Sequence, residues 1–583
     1  MEGVTHVTRL SRSVYRAVVL SVLIFAMAPS SQAFISVRSS SSGNPVRWNE
    51  GSHLVFRTNT TNSSGLSAQS IFDMFTTSLG RWKQAAFGGF NFVYYQGTDT
   101  SKYPNYVGST QDNSIFFTSN GGQNEQLPCG IVAMTEVWFE PGSGIATKAD
   151  LRFNDKCYKF TTNPADTRSQ SRIYLSDVAQ HELGHALGLD HSQNVQSTMI
   201  YTAAIEMAVP SCDDQAAMIS VYGGSARGQT GVVSGTVVTP SGAPLFGAHL
   251  NAISLERGVV LASAITDKNG NFRVAGLEAG RYGLVVEPYY PGSSTLGPYY
   301  AGLNANVCNG AKFDRTFVLE GSLLKSFDVP AGGETSTGNI AVSCSAPSSI
   351  HGGTERVFAT APEIAVGDLT GASAGTQSVF GAGVQNHYYK LTNVSGKLRA
   401  NALSYSLFST ADVYVEFYDA NGSRIAGQEN GGNIYSSQSG YINYDAAATV
   451  TVVVPQDIYV RVYKFATSIP SSAFPSGSTG VSSTPYYALT VSRGDVGDAY
   501  AFNGRCAASD SFARYSSQGD APGLSSGSSD DSGGGGPGCG TLGNSDGEDG
   551  PMGPGGLVRL VNFAMLAMMM VYARGKLIRV RIG

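Results

Sequence analysis

Three histidines and one glutamate stand at spacings that suit a metal centre in residues 181–192, whose sequence is HELGHALGLDHS. Residues four apart share one face of an α-helix, so His181 and His185 can present two imidazoles to the same ion. Gly188 allows the chain to turn sharply out of that helix, because glycine adopts left-handed backbone conformations at little cost. The reversed chain can then bring His191 back as a third ligand, and Glu182 lies one step round the helix, beside the open position.

Zinc is the metal that this set of side chains predicts. A catalytic zinc site has nitrogen ligands at about 2.0–2.1 Å and leaves a fourth position for water. A carboxylate beside that position can accept a proton from the water. We therefore expect His181, His185 and His191 to bind zinc and Glu182 to act as a general base. The alternatives are a degenerate site and a purely structural zinc site, and a structural site would have no use for Glu182.

A methionine follows the third histidine within residues 197–201, whose sequence is STMIY. The elongated histidine motif and Met199 together resemble the metzincin metallopeptidases, in which a turn containing the methionine lies beneath the zinc. The matrixin branch is the most similar, because Ser192 directly follows the third histidine and the spacing from His191 to Met199 is short. Residues 213–223 are similar to the terminal helix of that branch.

The resemblance covers about residues 47–224 and implies a secreted or surface-attached zinc-dependent endopeptidase. In such an enzyme a zinc-bound water, with Glu182 as general base, hydrolyses peptide bonds of extracellular proteins. The expected partner is therefore a protein or peptide substrate. The alternative functions are a surface adhesion or binding protein whose β-sandwich modules carry the activity, and an elongated structural stalk. The intact Glu182 favours the enzyme.

Tyr201 is a departure from the matrixin pattern, because matrixins usually have proline at this position. Astacins and serralysins place a tyrosine there, near the zinc. By that resemblance Tyr201 is a catalytic residue, whose phenol donates a hydrogen bond to the oxyanion that forms on the scissile carbonyl. The alternative is a tyrosine that packs behind the Met-turn as apolar bulk.

One zinc ion per chain is expected, since the sequence before His181 has no counterpart of the cluster that holds a second, structural zinc in many matrix metalloproteinases. No pattern indicates a calcium site. The segment Asp267-Lys268-Asn269-Gly270 lacks the later glutamate of an EF-hand. We interpret it as a hairpin turn.

Hydrophobic periodicity on both sides of the histidine motif predicts the elements that position it. We predict helices over residues 71–86, 176–187 and 213–222 and strands over residues 54–58, 114–117 and 149–153. The resemblance implies that these elements form an α+β catalytic domain over residues 34–226, a twisted mixed sheet with an active-site helix. It also implies that the strand at residues 149–154 runs along the substrate.

Short alternating strands separated by turns replace this mixture after Gly224. Residues 230–345 resemble the transthyretin-like, or carboxypeptidase regulatory-like, sandwich that is often appended to secreted peptidases. Residues 359–495 are similar to the prepeptidase C-terminal β-sandwich of bacterial secreted peptidases. Tyrosine rows in its strands are expected to pack on the sheet, with glycan binding as the alternative. The predicted fold class is thus multidomain, with two all-β sandwiches behind the catalytic domain.

Composition supports an extracellular, β-rich protein. The 583 residues contain 38 Lys+Arg and 43 Asp+Glu, a net charge of −5 that gives no reason to expect a nucleic-acid partner. Only 14% of residues are charged, whereas soluble domains have about 25%. Helical bundles and coiled coils would need more glutamate, lysine and leucine.

Both ends of the sequence carry targeting patterns. Arg9, Arg12 and Arg16 precede an apolar run, which predicts a signal peptide over residues 1–33 and export by the Sec pathway; a buried helix or membrane anchor is the alternative. Residues 506–556 form a Gly/Ser/Asp-rich stalk that we expect to be flexible. Residues 557–583 are an apolar and basic tail, similar to the C-terminal sorting signals of bacterial surface proteins. The expected partner of this tail is a sorting protease that cuts it. The alternative is a plain tail anchor. In either case the tail is the only part of the chain that we expect to contact a membrane.

The cysteines predict structural disulfides, which are typical of proteins outside the cytosol. Cys129 with Cys157, and Cys308 with Cys344, each fall inside one proposed domain. The segment Leu127-Pro128-Cys129-Gly130 also resembles the inhibitory cysteine loop of matrixin propeptides. Because Cys157 is available as a partner in the same domain, we favour the disulfide. The pairing of Cys212 and Cys506 cannot be deduced.

Overall fold

The computed structural model describes residues 34–86, 90–96, 113–120, 126–164, 166, 172–195, 197–201, 207–290, 296–303, 306–320, 323–344, 361, 363–366, 369–373, 386–429, 445–464, 469, 486–493 and 578–582. These residues form a unit of helices and a mixed sheet, followed by two units built almost wholly of strands. The predicted multidomain fold class is confirmed. The signal peptide, the stalk and all of the tail except residues 578–582 lie outside the described residues.

The first unit contains the histidine motif. Its elements are β1 His53–Thr58, α1 Ala68–Ala85, β2 Asn91–Gln96, β3 Asn113–Phe117, β4 Ala133–Phe139, β5 Ala146–Phe153, β6 Phe160–Thr161, β7 Ile173–Tyr174, α2 Leu175–Ala186, α3 Cys212–Tyr222 and α4 Gly224–Arg227. The main sheet has the order β2-β1-β3-β5-β4-β24, where β24 is Ile578–Ile582. Strands β2, β1, β3 and β5 are parallel, and β4 is antiparallel to β5.

Helix α1 packs on the motif helix α2 through its apolar face. Ser67 caps its first turn by accepting a hydrogen bond from the Ser70 N–H, which satisfies one of the donors that a helix start leaves open. Ile71, Phe75 and Trp82 are fully buried on one face, as their spacing predicted. The Trp82 indole donates to the Gln180 carbonyl of α2 at 2.9 Å, so the two helices are joined by a polar contact within an apolar core.

The position of β5 in the sheet corrects one expectation. Residues 149–154 were expected to run along the substrate, but β5 pairs with β3 on one side and with β4 on the other. A strand with both edges paired has no free main-chain groups for a peptide. Among the strands of the first unit, β4 forms the sheet edge on this side, and β24 pairs with it in antiparallel fashion.

The second unit is a sandwich of two main sheets with a small hairpin. Its strands are β8 Gly231–Val238, β9 Ala248–Ser254, β10 Val259–Ile265, β11 Asn271–Leu277, β12 Gly280–Pro288, β13 Thr316–Phe317, β14 Leu319–Glu320, β15 Leu323–Leu324, β16 Phe327–Val329 and β17 Glu334–Ala341. The main sheets have the orders β10-β9-β12-β13, with β16 also on β12, and β11-β8-β17. Between β10 and β11 the Asp267 carboxylate accepts the Asn269 and Asn271 N–H groups, both at 2.9 Å. This segment is the turn that the sequence predicted.

The described residues of the third unit form a six-stranded sheet with the order β18-β23-β19-β22-β20-β21. Its strands are β18 Leu369–Ser373, β19 Asn386–Leu403, β20 Val413–Tyr418, β21 Arg424–Glu429, β22 Ala446–Lys464 and β23 Tyr486–Arg493. Two tyrosines on neighbouring strands, Tyr414 and Tyr463, have ring centroids 5.1 Å apart, as expected for packing on the sheet. Short 3₁₀ helices occur at Thr118–Asn120, Pro298–Tyr300 and Tyr405–Leu407.

Within the described residues there are two disulfides, Cys129–Cys157 in the first unit and Cys308–Cys344 in the second. Both pairs were predicted, and the first assigns Cys129 to a structural bridge within its own unit. Among the described helices, none has the length and apolarity that crossing a membrane requires.

Candidate metal centre

The imidazoles of His181, His185 and His191 meet at one point. Nε2 of His185 lies 3.0 Å from Nε2 of His181 and 3.2 Å from Nε2 of His191. All three side chains are buried. In the described part of the chain, they are the one group of three or more such side chains close enough together to hold a metal ion. The helix α2 therefore presents two ligands, and the segment after it brings back the third, as the spacing predicted.

A glycine makes the return of His191 possible. Helix α2 ends before Gly188, which has a φ of +94°. A side chain at this position would be strained by that backbone conformation, and its Cβ would also collide with the Val46 carbonyl oxygen. Gly188 thus meets two requirements at once, the turn itself and the close approach of the segment that precedes β1.

Hydrogen bonds to the second ring nitrogen fix the orientation of two ligands. His181 Nδ1 lies 2.7 Å from the Thr198 carbonyl oxygen, and His185 Nδ1 lies 2.8 Å from the Leu189 carbonyl oxygen. A carbonyl oxygen only accepts, so Nδ1 of each ring carries the proton and Nε2 carries the lone pair. Burial lowers the pKa of His181 to about 4 and the pKa of His185 well below its usual value, so both imidazoles are neutral.

This donor set fits zinc. A tetrahedral ion with bonds of about 2.0–2.1 Å holds its nitrogen ligands about 3.3–3.4 Å apart. The two Nε2 separations of 3.0 and 3.2 Å need only a small outward movement to reach that value. Three buried imidazoles with their Nε2 atoms directed at a common point are the ligands that catalytic zinc sites use.

Glu182 extends toward strand β4 from the same turn of α2. Its Oε2 accepts a hydrogen bond of 2.6 Å from the Thr135 hydroxyl, and its side chain is almost fully buried. Burial raises the pKa of Glu182 to about 8, and the Thr135 hydrogen bond opposes that rise. A divalent cation on the adjacent imidazoles would lower the pKa again, because its charge stabilises a nearby carboxylate. Sequence reasoning missed Thr135, which lies far from the motif along the chain.

Met199 packs directly beneath the motif helix. It is 2% exposed, and a Cβ added at Gly184 of α2 would collide with the Met199 sulfur and press on the Trp82 ring. The methionine therefore fills the space that a glycine leaves on the helix. This is the place that the Met-turn prediction gave it.

A buried carboxylate holds the turn that contains Met199. Asp214 of α3 accepts hydrogen bonds from the Thr198 N–H at 2.7 Å and from the Ser197 hydroxyl at 2.6 Å. Thr198 in turn provides the carbonyl that orients His181. Asp214 also closes a capping box with Ser211 at the start of α3. The sequence suggested a helix here but gave no sign of this link to the first ligand.

The match to a family model agrees with this geometry. Residues 47–223 match the family described as Matrixin. This segment is a matrixin domain. The chain therefore carries a zinc metallopeptidase domain of the metzincin kind, a hydrolase that acts on proteins or peptides.

Two further comparisons concern the units behind the matrixin domain. Residues 232–297 match the family described as Carboxypeptidase regulatory-like domain, as predicted for the second unit. Among solved structures, the chain is similar to the pre-peptidase C-terminal domain of a collagenase from Bacillus anthracis, with 15% identity and a TM-score of 0.15. That match covers 24% of this chain and 96% of the collagenase domain. No curated protein matches the sequence.

Tyr201 lies at the border between the matrixin domain and the other units. Its side chain is 3% exposed and belongs to an apolar cluster with Ile200 and with Tyr290, Tyr405 and Phe408 of the second and third units. These surroundings correspond to the packed alternative for the ring. The catalytic assignment of its hydroxyl stays a prediction.

Tyr201→Phe separates the two alternatives, because it keeps the ring and removes only the hydroxyl. A hydroxyl that donates to the oxyanion predicts a loss of about 10²-fold or more in kcat with little change in KM. A packed tyrosine predicts wild-type kinetics and at most a small loss of stability. Steady-state kinetics on one peptide substrate, with thermal unfolding of the same samples, measures both. An unchanged kcat would remove Tyr201 from the catalytic residues.

Proposed function

We propose that this protein is a zinc-dependent endopeptidase in which Glu182 acts as the general base. The observation that carries the proposal is the meeting of three imidazole Nε2 atoms beside a buried carboxylate of the same helix. A zinc site with a purely structural role would have no use for that carboxylate. The matrixin match to residues 47–223 supports the same reaction class.

The residues of this chain divide the chemistry among them. Zinc held by His181, His185 and His191 would act as a Lewis acid toward a peptide carbonyl and would lower the pKa of water. Glu182 accepts the proton of the attacking water and later returns it to the leaving amine. Thr135 holds the Glu182 carboxylate in one orientation through the 2.6 Å hydrogen bond, so the carboxylate is already oriented before the reaction begins.

The proposal includes a location outside the cytosol. Arg9, Arg12 and Arg16 before an apolar run support export through the Sec pathway, and the low share of charged residues suits an extracellular protein. The two disulfides support an oxidising compartment. Substrates would then be extracellular proteins, and a sorting protease acting on residues 557–583 would attach the enzyme to the cell surface.

Digestion of a peptide library tests the proposed activity. The chain over residues 34–556, which lacks the tail that a sorting protease would act on, should cleave internal peptide bonds, lose this activity with a zinc chelator and regain it when zinc is restored. Mass spectrometry of the products identifies the cleaved bonds. A fully zinc-loaded chain that cleaves no peptide or protein would contradict the proposal and would favour the adhesion alternative.

A further inference from the structure

The loop that carries the third histidine is held by the second unit. Asp190 accepts the main-chain N–H of His191 at 2.9 Å with Oδ1 and the N–H of Gly297 at 2.8 Å with Oδ2. Gly297 precedes the 3₁₀ helix of the second unit. The carboxylate is 1% exposed, so water does not compete for these contacts. One side chain therefore ties the main chain of the third ligand to the neighbouring sandwich.

Gln193 holds the other side of the same loop. Its Oε1 accepts the Tyr290 N–H at 2.7 Å, and its Nε2 donates to the Pro288 carbonyl at 3.3 Å, at the end of β12. The Tyr289 hydroxyl donates to the carbonyl oxygen of His191 itself at 3.4 Å. Gln193 is fully buried. Residues 190–193 are thus joined to the sandwich on both sides of the ligand.

A third connection runs through helix α3. Asp213 accepts the Ser192 hydroxyl at 2.9 Å and, from β10 of the sandwich, the Ser263 N–H at 2.6 Å. The first two ligands lie on α2, and their Nδ1 atoms bind the Thr198 and Leu189 carbonyl groups of the matrixin domain. The contacts with the sandwich therefore bear most directly on His191, the ligand that lies outside the helix.

We propose that Pro288, Tyr290 and Gly297 at one end of the sandwich are part of the metal centre, with Asp190 and Gln193 as positioning residues for His191. This inference rests on the proposed zinc site. A ligand on an unrestrained loop must be ordered when the metal binds, and the lost conformational entropy weakens binding. Contacts that orient metal ligands typically change affinity by about 10–100-fold when they are removed. The second unit thereby sets the zinc affinity of the first.

The zinc dissociation constant of the full chain, measured against a competing chelator, tests this inference. Gln193→Ala is expected to weaken zinc binding by about 10–100-fold and to change the visible spectrum of the Co²⁺-substituted protein. Val233→Ala is the matched control, since Val233 is fully buried in the sandwich core and belongs to a cluster that does not include residues 190–193. It should lower the unfolding temperature and leave the zinc dissociation constant unchanged.

The outcomes separate this inference from the proposed function. A wild-type chain that binds no zinc would contradict the zinc site itself. A wild-type chain that binds zinc, with Gln193→Ala binding it equally well, would overturn only the positioning role. The same loss of affinity in Val233→Ala would also overturn it, because the effect would then come from general destabilisation.

A separate observation concerns the edge of the catalytic sheet. Strand β24 pairs with β4 in antiparallel register, with Ile582 opposite Thr135 and Ile578 opposite Phe139. Thr135 is the residue that binds Glu182, so β24 runs beside the candidate active site. An exposed strand edge binds extended peptides through main-chain hydrogen bonds, and here residues of the same chain take that position.

We infer that, as long as the tail is uncut, residues 578–582 occupy the peptide-docking edge of the matrixin domain and compete with other extended peptides for it. This inference rests on the proposed function in one respect only: if the protein is a peptidase, the competing peptides are its substrates. Its test is binding in the presence of a zinc chelator, with a labelled peptide of residues 577–583. The peptide should bind a chain that ends at Lys576 at least about 10-fold more tightly than it binds the full chain, in which the edge is taken.

A peptide with Val580→Pro is the control, since proline removes a main-chain donor and disfavours strand pairing. It should bind neither form. Equal binding of the native peptide to both forms, or no binding to either, would overturn the inference. Because no zinc and no cleavage enter this measurement, its failure leaves the proposed function untouched.

Discussion

Glu182→Gln is expected to keep one zinc ion per chain and to lower turnover by about 10²–10⁴-fold, the usual contribution of a general acid–base group. Glutamine has the same shape and can still accept the Thr135 hydrogen bond that Glu182 accepts at 2.6 Å. It cannot take a proton from water. The measurement is kcat/KM on a fluorogenic peptide together with the zinc content of each sample.

Glu140→Gln is the matched control for this variant. Glu140 is an exposed residue just after β4 in the same domain, and it should keep wild-type activity. Activity near the wild-type value in zinc-loaded Glu182→Gln would remove Glu182 from the mechanism. Loss of zinc in the same variant would show instead that the carboxylate supports metal binding.

The sequence predicted those features of the site that lie close together along the chain. The spacing of His181 and His185 placed both on one helix face, and Gly188 marked the turn that returns His191. The structure agrees in each case, down to the φ of +94° at Gly188. Spacing suffices here because a helix and one turn fix the relative positions of neighbouring residues.

The contacts that orient these side chains could not be predicted in the same way. Thr135 reaches Glu182 across 47 positions of sequence, and Gly297 reaches Asp190 across 107. Nothing about an isolated threonine or glycine indicates such a partner, because the contact depends on how β4 and the second unit pack on α2. The expectation that β5 lies along the substrate was wrong for a related reason. It came from a resemblance of residues 149–154 to a strand of the family, and such a local resemblance does not show which strand ends a sheet.

His185→Ala is expected to abolish zinc binding and, with it, all peptidase activity that depends on the metal. His185 lies between the other two ligands, with its Nε2 within 3.2 Å of both. Without it, only two imidazoles would remain to bind the metal. Zinc that binds only the folded state stabilises it by about 4 kcal/mol when its concentration is about 1,000 times the dissociation constant. Added zinc should therefore raise the unfolding temperature of the wild-type chain but not that of His185→Ala.

His53→Ala is the control, since it changes an exposed histidine at the start of β1. It should have the zinc content of the wild type and the same zinc-dependent rise in unfolding temperature. A zinc-dependent rise in the unfolding temperature of His185→Ala would show that the metal binds elsewhere in the chain.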